Sequence, residues 1–297
     1  MIEYVPNLSE GNGTHAVSWG VEALAEAGAC VLDLHCDADH NRSVITAVGG
    51  ESELEAGTLE MVRRTVQRID LASHTGVHPR IGVVDVLPFV PLENASLAEC
   101  IALARRVGTR VADELCIPVY LYEAAARNPA RRNLAAIRRG GLPGLSERMT
   151  TPEGCPDLGP TKPHPTAGVI AIGARGFLVA FNVNLDATDV RVAKRIASAV
   201  RASSGGLAGV KALGLRLASR GITQVSMNLV EPLATTIMDA FVAVEQVAAS
   251  VGCQVVESEI VGLVPQAALA GVDAERIRFP GRLDEITIEH RRAARCA

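Results

Sequence analysis

Ser73-His-Thr-Gly-Val-His78-Pro-Arg80 runs directly into Ile81-Gly-Val-Val-Asp85-Val-Leu-Pro88-Phe-Val-Pro91. The second half is an apolar run that reads as a buried strand, and the first half is then the loop this strand holds rigid. The loop carries two imidazoles and a guanidinium, a proton carrier beside an anion binder. Pro79 disfavours helical geometry in the residue before it, so His78 is expected in extended backbone. His74 and His78 therefore do not share one helical face, which the helical zinc motif requires together with a glutamate. Imidazole takes and returns protons near neutral pH, which points to His78 as a general base or acid. A loop histidine that hydrogen-bonds locally is the plainer reading of the same residue.

Outward from this strand, periodicity and punctuation predict alternating strands and helices. A strand at 2–5, a turn-like stretch Pro6–Gly13, a helix at 15–27 and strands at 30–34 and 43–48 come first. Ser52 with Glu55, and Ser96 with Glu99, have the spacing of capping boxes for two further helices. Strand signals return at 117–122 and 168–173, separated by an Arg-, Gly- and Pro-rich excursion over 128–162. A second series follows: a strand from Phe177 to Leu185, a helix at 190–202, a Gly-rich linker near Gly205, a strand at 222–229, a helix at 236–250 and a strand at 253–263. The chain thus reads as α/β, in two units of ordinary domain size at 1–176 and 177–297. The linker lacks the full phosphate-loop pattern, and no Gly-x-Ser-x-Gly elbow is present.

Composition narrows the function classes. The 297 residues are 48% hydrophobic and 21% charged, enough for a sizeable core. The seven cysteines are scattered, without a Cys-x-x-Cys pair, a pattern that suits free thiols. Net charge of -4, with one Trp, three Tyr and five Phe, argues against nucleic-acid binding. Charges interrupt every long apolar stretch, so no membrane partner is expected. The start of the chain has no basic-then-apolar segment, so a cytoplasmic location is expected.

A second polar cluster, Asp33-Leu-His35-Cys-Asp37-Ala-Asp39-His40-Asn41-Arg42, follows an apolar strand. It has the groups to bind a divalent metal, orient His78 or hold a cationic substrate; a solvated turn is the plainer reading.

At this point the residues resemble a known family. Val5-Pro-Asn-Leu-Ser-Glu-Gly11, Asn41-Arg-Ser-Val44, His74-x-Gly-x-His-Pro-Arg80, Asp85-Val-Leu-Pro-Phe-Val-Pro91, Pro118-Val-Tyr-Leu-Tyr122, Ala180-Phe-Asn-Val-Asn-Leu185, Val225-Ser-Met-Asn-Leu229 and Ile260-Val-Gly-Leu-Val-Pro265 are similar to the formiminotransferase domain. The match keeps its order over nearly the whole chain; the cyclodeaminase domain of the bifunctional enzymes has no counterpart in it. The resemblance implies two ferredoxin-like subdomains, each a β-sheet covered by helices, and a homodimer. It implies transfer of a formimino group from N-formimidoyl-L-glutamate to tetrahydrofolate as co-substrate, in histidine degradation, with no metal expected.

His78 matches the family's catalytic histidine. The folate-binding segment maps onto Gly159, Pro160, Thr161, Lys162, Pro163, His164, Pro165, Thr166, Ala167 and Gly168. His35, Asn41, Arg42, Arg80 and Arg175 complete the expected substrate and folate contacts, the arginines because a guanidinium can grip a carboxylate through two hydrogen bonds. Val77, His35 and Ala167 depart from the family pattern, which has glutamate, aspartate and tryptophan there. The alternatives are a transferase of the same fold with another formyl or formimino donor, a folate-binding protein without turnover, and a metal-dependent amide or amidine hydrolase. The hydrolase would use His35, Asp37, His40, His74 and His78.

Overall fold

The computed structural model describes residues 1–12 and 15–296, so the end of the Pro6–Gly13 stretch lies outside the described residues. The chain divides into two compact units, Met1–Arg175 and Gly176–Ala297.

The first unit opens with β1 (Ile2–Tyr4) and β2 (Asn7–Leu8), followed by α1 (His15–Glu26), β3 (Cys30–Asp37), β4 (Arg42–Gly49), α2 (Glu51–Val66) and β5 (Val84–Pro91). Pro6, which has no N–H to give a ladder, separates β1 from β2. The two nevertheless occupy one strand position, each antiparallel to both β4 and β5. With β3 on the outside of β4, the order β3-β4-β1/β2-β5 is the ferredoxin-like βαββαβ arrangement. α3 (Leu97–Leu115), β6 (Val119–Glu123) and β7 (Ile170–Ala174) then extend the sheet, β7 parallel to β5 and β6 parallel to β7.

Alternation decides what each face buries. Tyr4, Leu8, Ile45, Leu87, Phe89, Ile170 and Ile172 meet residues of α1, α2 and α3 in one core, with the Tyr4 and Phe89 rings stacked at 4.8 Å. On the opposite face Val86, Tyr120, Tyr122 and Ala171 pack against Ile137 of α4 (Leu134–Ile137), Leu145 of α5 (Gly141–Arg148) and Met149. The excursion that carries α4 and α5 is fastened to β6 by buried Asp157, which accepts from Leu121 N–H at 2.9 Å and pairs with Arg131 at 2.7 Å.

The second unit is β8 (Val179–Leu185), α6 (Val190–Val200), β9 (Val210–Leu217), β10 (Ile222–Leu229), α7 (Ile237–Ser250) and β11 (Val255–Val261), closed by α8 (Ile288–Arg295). Its antiparallel sheet runs β11-β8-β10-β9, again ferredoxin-like. Phe181, Val183, Val225 and Met227 face Ile196, Phe241 and Val244 of its two long helices.

Three expectations need correction. β9 occupies much of what reads as linker after Gly205. β3 continues to Asp37, so His35 stands on a strand rather than a loop. α2 begins at Glu51 after Gly50, which gives no side-chain cap, so Ser52 lies inside the helix. The Ser96–Glu99 capping box does form. Of the cysteines, Cys36, Cys100, Cys116, Cys155 and Cys253 are free thiols.

Candidate active site

The site grows from an irregularity in the central sheet. Asn7 pairs with Val86 but Leu8 pairs with Val84, so Asp85 is an extra residue, a bulge. Strict alternation would send its side chain with Leu87 and Phe89 into the helix-covered core. The bulge re-aims it instead. Fully buried Asp85 accepts from the Ile81 N–H at 2.8 Å and from Arg42 Nη1 at 2.8 Å, and pairs with Arg138. Arg42 opens β4, and its Nε and Nη2 also donate to Asn7 Oδ1 at 3.0 and 2.7 Å. Arg138 follows Ile137, whose packing on Tyr120 and Tyr122 brings the next residue to the sheet.

Two guanidiniums therefore meet one carboxylate, leaving an excess positive charge. Burial alone would raise the Asp85 pKa, yet Arg138, Arg42 and the Ile81 amide outweigh it and hold the carboxyl below its usual range. Burial also pushes Arg42 down to about 10, Asp85 opposing and Arg138 adding to the effect.

His78 stands against this charge, in a loop that is not helical. Its Nδ1 is 2.8 Å from the Pro79 carbonyl and 3.3 Å from Arg42 Nη1. A carbonyl only accepts, so the 2.8 Å contact takes a proton on Nδ1 and leaves the lone pair on Nε2; Arg42 Nη1, itself only a donor, gives a hydrogen to Asp85 rather than to the ring. Burial, then Arg42, Arg138 and His40, hold the His78 pKa well below the usual imidazole value. The ring is thus a neutral base at physiological pH.

The rest of the loop is clamped from within. Arg80 Nη2 donates to His74 O at 2.6 Å, and its Nη1 to Gly76 O at 3.1 Å. His74 Nε2 donates to Asn41 O at 2.9 Å, and Asn41 Nδ2 to Thr75 O at 2.6 Å, while Asn41 Oδ1 accepts from Gly11 N–H at 2.8 Å. Asn41, at φ 46°, ties three segments together. Arg80 and Asn41 were expected on ligands; here their polar groups organise the loop.

A cleft of about 460 Å³ lies between Gly76–Arg80 and Gly141, Leu142 and Pro143 at the start of α5, within the size range of small-molecule sites. The segment expected to hold folate reaches this neighbourhood by its end. Gly159, Pro160, Thr161 and Lys162 are exposed; after Pro163, the residues Pro165, Thr166 and Ala167 turn between His164 and Gly168, and His164 Nδ1 accepts from Ala167 N–H at 3.1 Å. Thr166 O accepts from Leu71 and Ala167 O from Val83, which laces the segment to both flanks of the His78 loop. Ala167 is buried in the core, and Gly168 at φ 73° leaves 2.4 Å between an added Cβ and Ile81 O.

Two expected contacts stand apart. His35 is opposite Val44 in the β3–β4 pairing. Arg175 follows β7 at the level of Phe89, about 13 Å along β5 from Asp85, with its side chain on Tyr122. Among the described residues no three or more His, Cys, Asp or Glu side chains are placed to hold a metal ion, so the set weighed for a hydrolase is not gathered. Sequence reading missed Asp85, Asn7 and Arg138 as site residues; only the motifs around the first two marked them.

A neutral imidazole with one nitrogen fixed, set on a ferredoxin-like sheet beside surplus positive charge, is the equipment that general acid–base chemistry uses. Residues 1–175 match the formiminotransferase domain, N-terminal subdomain, and residues 180–278 the formiminotransferase domain. The chain belongs to the formiminotransferase family. It is 42% identical over 274 residues to a glutamate formimidoyltransferase of Streptococcus pyogenes, covering 92% of this chain and 91% of that one. A glutamate formimidoyltransferase of Thermoplasma acidophilum is 42% identical over 300 residues, covering 100% and 98%. The formimidoyltransferase-cyclodeaminase of Mus musculus is 39% identical over 276 residues, which are 91% of this chain and 51% of that one. Among the described residues no helix is long and apolar enough to cross a membrane.

Proposed function

We propose that the chain transfers a formimino group from N-formimidoyl-L-glutamate to tetrahydrofolate, giving 5-formimidoyltetrahydrofolate and L-glutamate. The observation that carries this reading is His78, with Nδ1 held by the Pro79 carbonyl, and with burial first and the charge of Arg42 and Arg138 next keeping Nε2 unprotonated. The reaction moves one proton from the attacking folate amine to the departing glutamate nitrogen. His78 Nε2 takes that proton as the new C–N bond forms and returns it as the old one breaks, so the base is regenerated. The surplus charge of the Arg42–Asp85–Arg138 cluster favours substrate carboxylates at this end of the sheet. Gly159–Gly168 and the cleft beside α5, with Leu142 and Pro143 on its wall, receive the flat pterin.

The same reading places the protein as a cytoplasmic homodimer in histidine degradation, working without metal. Purified, chelator-treated protein should form the substituted folate in a single-turnover mixture of the two substrates. Folate binding without transfer would redirect the search to another one-carbon donor; the absence of both binding and transfer would refute the reading.

A further inference from the structure

His40 has no role in the scheme above, yet its ring lies 5.8 Å from that of His78, centroid to centroid, tilted by 49°. It is only 7% exposed, and its Nε2 is buried without a hydrogen-bond partner among the described residues. Its other face is braced: the Asp37 carboxylate lies 3.6 Å from His40 Nδ1 and accepts from the His40 backbone N–H at 2.8 Å. Asp37 ends β3 directly opposite Arg42 in the β3–β4 pairing, so the tight turn between these strands delivers His40 to the side of the His78 loop.

We propose that His40 and His78 form a dyad in which His40 is the positioning residue that keeps His78 in its neutral, basic form. The charged groups around the two rings divide them. His78 faces Arg42 from β4 and Arg138 from the end of α4, whose shared partner Asp85 balances only one of the two cations. His40 faces Asp37, while His74 and Arg80 belong to the His78 loop itself. A proton taken up by His40, beside the Asp37 carboxylate, opposes a second one on His78 at this ring separation. Environments that pull two titratable groups apart in this way assign the acid and base forms of a pair. No proton is transferred from His40 to substrate; its effect runs through His78.

This inference rests on His78 being the base, and the test separates the two. The side-chain titration of His78 is followed by NMR in the wild type and in His40→Gln, beside the pH dependence of kcat/KM. One charge at this separation moves a neighbouring titration by about 0.5 to 2 pH units, depending on screening. In His40→Gln the His78 midpoint and the acidic limb of kcat/KM should both rise by that amount. His40→Asn should move them in the same way. A His78 midpoint that stays in place in a folded His40→Gln protein overturns the dyad; if that variant does not fold, an unmoved midpoint in His40→Asn does so. His78→Asn judges the base separately. An active His78→Asn enzyme removes His78 as base, whereas an inactive one with an unmoved midpoint in His40→Gln removes only the dyad.

Discussion

Replacing Asp85 by Asn removes one negative charge from a site where two guanidiniums depend on it. Asp85 is 0% exposed, and the side chains of Arg42 and Arg138 are 12% and 15% exposed. Removing one partner of a buried ion pair costs about 3–5 kcal/mol, because the other charge stays buried without compensation. The amide can still accept from the Ile81 N–H, and Arg42 keeps its two bonds to Asn7, which moderates the loss. Arg138 has no such reserve, since its Nε is already buried without a partner. The expected cost is about 4 kcal/mol, a large share of the roughly 5–15 kcal/mol that holds a native protein together. Urea denaturation at pH 7, followed by circular dichroism, measures it. The sign of the pH dependence follows from the depressed Asp85 carboxyl: its contribution is complete above the ordinary aspartate value of about 3.9 and is lost as pH falls through the lower folded value. The gap between wild type and variant should therefore be full at neutral pH and close in acid. A cost under about 1 kcal/mol at pH 7, or a gap that widens in acid, would refute the assignment of this cluster as charge-organised.

Other outcomes follow from the same geometry. His78→Ala should lower kcat by about 10²–10⁴ while leaving folate affinity near wild type, as measured by stopped-flow transfer and equilibrium binding. In the wild type the acidic limb of kcat/KM should fall clearly below the ordinary histidine value of about 6.5, because a base with a depressed pKa works until it protonates. Arg80→Lys should fail to restore what Arg80→Ala loses, since one ammonium cannot span the His74 and Gly76 carbonyls; full kinetic rescue would contradict the clamp. Gly168→Ala should cost more than about 1 kcal/mol in a thermal melt, from its positive φ together with the clash on Ile81 O.

Much of this architecture is legible in the chain, and the failures have physical causes. Long amphipathic segments such as 97–115 declare themselves through period and cap, Ser96 with Glu99 closing both ends of one box. Ser52 and Glu55 carry the same letters, but Glu51 and Glu53 already suit the first helical turn, so the helix starts at Gly50 and the pattern is left in its interior. β9 escapes notice because neighbouring glycines mask its alternation, although Val210, Ala212, Leu215 and Leu217 are buried. At the candidate site, His78 is visible from its own loop. Asp85 is not, because a bulge defeats alternation, and neither is Arg138, because its position depends on how Ile137 packs. Arg80 and Asn41 add a role that residue type does not announce: both hold backbone carbonyls or amides around the loop.

The bulge at Asp85 also makes the segment between loop and strand a ruler. Side chains along it can be exchanged, but its length cannot. One residue added or removed between His78 and Val86 would return the carboxylate to the helix-covered side and turn an apolar neighbour toward the arginines. In any diversification of this chain, natural or designed, length variation should accumulate elsewhere, while this short span keeps its count even where its letters drift.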